Sequence, residues 1–331
     1  MKPVVSIIIP AYNAEAFIEQ TIVSALNQTF PYKEIVVVDD GSSDATYSIA
    51  KSFAGSSVRV VTQTNRGAGA ARNRGLDESQ GDYVQYLDAD DLLDPKKIEA
   101  QMQMVDKFGR EFLYAGRWKL FYDDINKGNF SANDLWRDFD DPGHWLVTAW
   151  TKQIWMHPSA WLTPRSLIDL AGPWNEGLSL HDDGEFFCRV LLKSQGVKFC
   201  DESKSYYRKG IPDSLSSHIS EKAILSHFTI CQLYEKHLMS LRNNEISRKA
   251  CASNYLAFHY AHFPGSTALR EKAKAAALRL GGSDIVPQGT ALFQVLKKVA
   301  GWKLARRIEK FYYENGLNRA SMLNRAKNLI K

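Results

Sequence analysis

The stretch Tyr83-Val84-Gln85-Tyr86-Leu87-Asp88-Ala89-Asp90-Asp91 runs a short strand-forming segment straight into three carboxylates within four positions. A strand of this kind, mostly apolar rather than alternating, is expected where helices cover both faces of a parallel sheet. The carboxylates then fall at its carboxyl end, which is where open α/β sheets bind their ligands. Asp88 and Asp90, one residue apart on a tight turn, can set oxygen atoms on one hard cation, Mn2+ or Mg2+, and leave positions for diphosphate oxygens and water. A helix start before Pro95 would account for one or two of the acids, but not for three. Taken alone the motif stays open between these readings, because D-x-D is short and common.

The flanking sequence repeats the arrangement. Val4–Ile9, Glu34–Val38, Val58–Thr62 and Tyr83–Leu87 read as strands, separated by helical patterns from about Ala14 to Asn27, from Asp44 and from Ala68. Such alternation is the mark of βαβ units. Asn13 and Asp44 are expected to cap helices, and Pro95 to stand in the first turn of the next one. Two further strand ends carry polar clusters, Pro10-Ala11-Tyr12-Asn13 and Asp39-Asp40-Gly41-Ser42-Ser43-Asp44. A carboxylate there could accept from the imide N–H of a base or from ribose hydroxyls. Asx-turn chemistry explains Ser42, Ser43 and Asp44, but not both Asp39 and Asp40. The segment from Asn65 to Asn73 puts glycines, free N–H groups, Arg66 and Arg72 at a helix start, which suits phosphate. The plain alternative is a small-residue helix packed closely on the sheet.

At 331 residues, with 44% hydrophobic and 24% charged side chains, the chain can bury one large domain plus an annex. Cys188, Cys200, Cys231 and Cys251 form no C-x-x-C pair, so they read as reduced, mostly buried side chains rather than a zinc or disulfide framework. Met1-Lys2-Pro3-Val4 leads into a short strand without the apolar core of a signal peptide, and no apolar run approaches the roughly 20 residues of a spanning helix. A cytoplasmic protein is expected. The net charge of +5 hides an asymmetry: residues 297–331 hold ten Lys/Arg and two Asp/Glu, a net of +8, which leaves −3 for the rest. A basic tail beside an acidic body points to an anionic surface. With Trp302, Phe311, Tyr312 and Tyr313 in it, an interfacial helix on the inner face of a membrane fits at least as well as a nucleic-acid partner, for which no recognised motif is present. A solvated face or an oligomer contact is the plain alternative.

Taken together, in order and spacing, Val5-Ser6-Ile7-Ile8-Ile9-Pro10-Ala11-Tyr12-Asn13, Val36-Val37-Val38-Asp39-Asp40-Gly41-Ser42-Ser43-Asp44, Asn65-Arg66-Gly67 with Ala70-Ala71-Arg72-Asn73, and Gly81-Asp82-Tyr83 leading to Leu87-Asp88-Ala89-Asp90-Asp91 closely resemble glycosyltransferase family 2. The match covers nearly all of residues 4–95. It implies a GT-A fold, a Rossmann-like α/β architecture with a mainly parallel mixed sheet flanked by helices. It also implies an inverting, metal-dependent transfer from a nucleotide-diphosphate sugar. Carried over by position, Pro10, Tyr12, Asn13, Asp40 and Arg72 would surround the donor nucleoside, with Asp39 and Ala89 sharing that site. Asp88 would meet ribose and metal, and Asp90 the metal, Mn2+ or Mg2+. Arg66 has no firm counterpart.

An inverting transferase needs a general base for the acceptor hydroxyl. The family supplies it from a Glu-Asp pair that begins a helix; here Gly172-Pro173-Trp174-Asn175-Glu176 precedes His181-Asp182-Asp183-Gly184-Glu185-Phe186, and Asp183 aligns with the base. Asp182 replaces the Glu and Gly184 replaces a usual aromatic residue, which bears on the shape of the acceptor site. The plain alternative is two acids stabilising a helix N-terminus. Glu185 reads as structural. Tyr206-Tyr207-Arg208 resembles a family segment that ends in His, but Gly210 and Pro212 stand where the His would fall. Arg208 and Asp182 are candidates for diphosphate or acceptor contact. His157 and His181 read as packed or solvent-facing side chains.

Residues 110–180 are rich in Trp, and most of these should be core; Trp155, with Trp150 and Trp161, is a candidate for sugar stacking. From about Ser220 the pattern is helical, with breaks near Pro264-Gly265 and Gly281-Gly282. The expected layout is a catalytic domain over residues 1–218, divided into a nucleotide-sugar half (1–109) and an acceptor half (110–218), then a C-terminal helical annex over 219–331. No Gln-x-x-Arg-Trp motif of processive synthases follows, so transfer of a single sugar is expected, from a UDP-sugar first, to a hydroxyl of a glycan, lipid-linked or other acceptor in cell-surface polysaccharide or glycoconjugate synthesis. Two other functions compete. A nucleotidyltransferase would want a glycine-rich, lysine-bearing loop after the first strand, where Pro10-Ala11-Tyr12-Asn13 stands. A catalytically silent nucleotide-sugar or glycan-binding protein would keep the donor site without a working Asp183.

Overall fold

The computed structural model describes residues 4–211 and 220–314. Eight strands form one mixed sheet: β1 (Val5–Ala11), β2 (Lys33–Asp39), β3 (Val58–Thr62), β4 (Tyr83–Tyr86), β5 (Leu92–Leu93), β6 (Leu113–Phe121), β7 (Trp161–Pro164) and β8 (Val197–Arg208), in the order β3-β2-β1-β4-β7-β6-β8-β5. The first four run parallel, as the continuous apolar runs predict. Ile7, Ile8 and Ile9 are all fully buried, so both faces of β1 lie in the core, and each such side chain contributes about 1.5–3 kcal/mol. Beyond β4 the sheet changes character, with β7 antiparallel to both neighbours and β6 parallel to β8. Short β5 pairs antiparallel with the end of β8, Leu92 opposite Tyr206, which draws the acidic loop to the carboxyl end of β8.

Helices α1 (Ile18–Leu26), α2 (Thr46–Ser52), α3 (Ala68–Asp77) and α4 (Lys97–Phe108) follow the parallel strands, and α5 (Pro142–Lys152), α6 (Arg165–Ala171) and α7 (Asp182–Lys193) belong to the second half. Three local expectations need correction. Helix α1 begins at Ile18, not near Ala14, and Asn13 is no cap: it sits at φ 47° and its Oδ1 accepts the Ser43 N–H at 2.9 Å. Pro95 lies in the turn before α4, which begins two residues later. Asp44 does serve its helix, accepting the Thr46 N–H at 2.9 Å, and with its other oxygen the Glu15 N–H at 3.1 Å. Small residues let α3 lie close on the sheet, since a Cβ on Gly75 would run into Ile8.

Four further helices are α8 (Glu221–Leu241), α9 (Glu245–Ala261), α10 (Thr267–Arg279) and α11 (Ala291–Glu314), the last broken at Gly301. Ser220 caps α8, its Oγ accepting the Ala223 N–H at 3.1 Å. The chain divides into two compact units inside α9, the first ending at Cys251 and the second beginning at Ala252. Helix α8 therefore belongs with the sheet, held by Ser226, which accepts from the Ser179 N–H, and by Tyr234 on Trp150. The boundary expected at 218/219 falls outside the described residues. All four cysteines are buried, and none of them is in a disulfide. No helix among the described residues is long and apolar enough to cross a membrane.

Candidate active site

Arg72 sits in the second turn of α3 with its side chain only 6% exposed. Its Nη2 donates to Asp88 Oδ1 and its Nη1 to Asp182 Oδ2, each at 2.8 Å. One cation thus joins the carboxylate after β4 to the first turn of α7. The guanidinium also lies 4.3 Å over the Trp174 ring, which stacks on Phe186 at 4.1 Å. Buried charges survive only when paired this closely. Asp183 shares that first turn. Burial first, and then the Asp182 charge, push its carboxyl up to about 7, with Arg72 opposing. A carboxyl poised near neutrality is what proton abstraction at neutral pH requires.

The acids after β4 divide their roles. Asp91 is fully buried and structural: it accepts the Arg208 N–H at 2.9 Å and the Ser159 hydroxyl at 3.2 Å, and lies 3.3 Å from His157 Nδ1. Burial drives His157 down to about 3, so it packs there uncharged, with Nε2 3.1 Å from the Ser205 hydroxyl. Arg208 spends its guanidinium on the protein, donating to the carbonyls of Asp90 (2.8 Å) and Tyr122 (3.2 Å) and to Gln20 (2.9 Å). It steadies the acidic loop rather than standing open to a diphosphate. Asp90 is partly exposed, and burial together with the Asp91 and Asp88 charges raises its carboxyl well above the usual range. Carboxylates crowded in this way fit a divalent cation. Among the described residues no three acidic, His or Cys groups converge on one point. Asp88 and Asp90 are the side chains of this loop that could hold such a cation, with ligand oxygens and water completing the shell.

On the β1–β2 side, Asp40 is committed to the loop before α3. Its oxygens accept from Gln63 Nε2 (2.8 Å) and from the backbone N–H groups of Arg66 (3.0 Å) and Gly67 (2.8 Å). Asp39 is as deeply buried and accepts from Thr62 Oγ1 at 3.2 Å, but its Oδ1 has no partner among the described residues. Tyr12 is half exposed and Pro10 is buried in β1 opposite Val38. The Ala89 carbonyl accepts from Thr21 Oγ1 at 2.8 Å, fixing the turn between Asp88 and Asp90. Arg66 pairs with Glu176 at 2.6 Å, and Asn73 exchanges hydrogen bonds with the Trp174 backbone, so α3 is stitched to the segment leading to Asp183.

Of the tryptophans, Trp145, Trp150, Trp161 and Trp174 are core, and Trp155 stands 47% exposed. Trp155 packs on Trp118 (4.7 Å) and Tyr207 (5.7 Å), and the phenol of Tyr207 is raised by burial and by the charges of Asp91, Asp88, Asp90 and Asp183. An aromatic wall therefore adjoins the acidic cluster. Glu185 is buried and held by Arg189 at 2.8 Å. Exposed His181, at φ 58°, precedes α7. Trp118, Ser159 and Gln20 carry no motif of their own, and only their neighbours across the sheet give them a place at the site.

A family model described as glycosyl transferase family 2 matches residues 6–161. EpsH of Bacillus subtilis (strain 168), described as a glycosyltransferase, is 36% identical over 250 residues, 73% of this chain and 70% of EpsH. The chain belongs to glycosyltransferase family 2. Of two other relatives of this family-2 chain it spans less than half the length, 42% of a Haemophilus influenzae glycosyltransferase and 47% of a B. subtilis protein described as a teichuronic acid biosynthesis glycosyltransferase. Among solved structures, S. aureus TarS 1-349 in complex with UDP-GlcNAc superposes with TM-score 0.60 at 19% identity, over 84% of this chain and 89% of that one. The mannosyltransferase PcManGT of Pyrobaculum calidifontis, in complex with GDP-Man and Mn2+, superposes with TM-score 0.53 at 17% identity, over 98% and 83%. The family-2 chain thus has the GT-A fold, a mixed sheet flanked by helices with a helical C-terminal region.

Proposed function

We propose that this glycosyltransferase is inverting and metal-dependent, moving one sugar from a nucleotide-diphosphate sugar, UDP-sugars first, to a hydroxyl of a glycan or lipid-linked acceptor in cell-surface polysaccharide synthesis. The observation that carries the reading is the Arg72 fork, which ties Asp88 to Asp182 and so sets Asp183 beside the acidic loop. Asp183 takes the proton as the acceptor oxygen attacks the anomeric carbon and the bond to the diphosphate breaks on the opposite side. Asp88 and Asp90 would hold Mn2+ or Mg2+, which when bound offsets the charge of the leaving diphosphate. Asp39, with its unmatched buried oxygen, is the better placed of the two acids to accept from the base, while Asp40 shapes the loop around it. Tyr12, Pro10, Asn13 and Ala89 frame that end, and Trp155 offers the acceptor an apolar ring face.

The test is a thermal-shift panel of UDP-, GDP- and dTDP-sugars with Mn2+, followed by transfer to a panel of p-nitrophenyl glycosides. One donor should raise the melting temperature, and Asp90→Ala should lose that shift. Asp183→Asn should keep it and lose transfer by at least a thousandfold. Donor binding without transfer to any glycoside, in the unaltered protein, would favour the silent binding protein instead.

A second reading concerns location. Helix α11 exposes Leu292, Val295 and Val299 on one face, with exposed Lys298 beside them and exposed Lys303 and Arg307 beyond the break at Gly301, a composition suited to resting on an anionic leaflet.

A further inference from the structure

Asp183 is followed by Gly184, which leaves space on the side of α7 turned toward α8. A Cβ built on Gly184 would land on the Tyr234 hydroxyl, with the ring's Cζ only 3.4 Å away. The phenol of Tyr234 therefore fills the place that a side chain at position 184 would take. Its ring is fixed from the far side, stacked on Trp150 with centroids 4.6 Å apart and planes at 25°. Trp150 is itself buried. Burial, with Cys188 and then Asp183 adding, raises this phenol well above its ordinary value, so it stays a donor.

A phenylalanine would pack against Trp150 as well as tyrosine does, and would not press on position 184. Here the O–H is held on a rigid ring, in room that a glycine provides, one residue from the carboxyl assigned to proton abstraction. We propose that Tyr234 determines acceptor specificity: its ring walls the space beside Asp183, and its hydroxyl donates to an oxygen of the acceptor sugar next to the attacking hydroxyl. The proposal rests on Asp183 being the base.

Steady-state transfer to the p-nitrophenyl glycoside selected by the panel above separates the two. Tyr234→Phe should raise the acceptor KM fivefold to tenfold, with the donor KM within twofold of the unaltered protein and the melting temperature within a few degrees. Gly184→Ala, which displaces the hydroxyl while Trp150 holds the ring, should raise the acceptor KM similarly. The double variant should be no worse than Tyr234→Phe, because the added methyl then meets only the ring edge. An acceptor KM within twofold in Tyr234→Phe, or donor and acceptor KM rising together, overturns the proposal. Transfer surviving in Asp183→Asn would overturn the base assignment instead.

Discussion

Asp183 is the residue whose environment speaks most directly to chemistry. It shares a helix start with Asp182, and a buried cation nearby, Arg72, is already bonded to Asp182 and Asp88. A carboxyl pushed up to about 7 is raised relative to the unfolded chain, where Asp lies near 3.9. Its contribution to stability is then fully present below the unfolded value and lost as pH rises through about 7. Two consequences follow with opposite signs. Transfer should rise with pH up to about 7 and then level, as the base ionises. Stability should fall over the same interval, so Asp183→Asn should be the more stable protein at pH 8, by on the order of a few kcal/mol, with the difference shrinking toward pH 5. Urea melts of both proteins at pH 5, 7 and 8 give the difference directly. A constant gap across that range would remove the argument for a perturbed carboxyl at this position.

At the level of elements, the loop between β3 and α3 is held by Asp40, whose two oxygens receive Gln63 and two backbone N–H groups. Asp40→Ala leaves those N–H groups unmatched in a buried place. It should cost about 2–4 kcal/mol in urea denaturation, with weaker donor binding as the loop loosens. Asp39→Asn should keep stability closer to the unaltered protein while weakening the donor. The βαβ alternation, the strand ends and the order of the motifs were legible because they are local: β-branched runs, glycine turns and acids within a few positions. The division of labour between Asp39 and Asp40 was not, since it depends on Thr62, Gln63 and Gly67 from the neighbouring strand and loop. The same holds for Asp91, one of three neighbouring acids in the sequence and in the fold a buried partner of Ser159 and the Arg208 backbone. Arg208 looked available to a phosphate and is spent on Asp90, Tyr122 and Gln20. Long-range pairing decides these cases, and spacing along a sequence does not encode it.

At the scale of the whole molecule, the question is where a family-2 enzyme with a basic C-terminal helix meets its acceptor. Leu292, Val295 and Val299 recur at helical spacing and are 44%, 63% and 85% exposed, so this side of α11 carries apolar surface outward. Beyond the break at Gly301, Lys303 and Arg307 continue the positive charge begun at Lys298. Each cation near an anionic leaflet is worth about 1 kcal/mol, and three together correspond to roughly a hundredfold in affinity. Flotation with vesicles of phosphatidylcholine alone and with one-third phosphatidylglycerol should therefore differ by about that factor, and 0.5 M salt should erase most of the difference. Reversing Lys298, Lys303 and Arg307 to Glu should abolish the preference for anionic vesicles, whereas Leu292, Val295 and Val299 to Ser should weaken binding to both compositions. Those two outcomes separate charge attraction from apolar insertion. Equal flotation on neutral and anionic vesicles in the unaltered protein would show that this face serves another contact, and the acceptor would then have to be sought among soluble glycans.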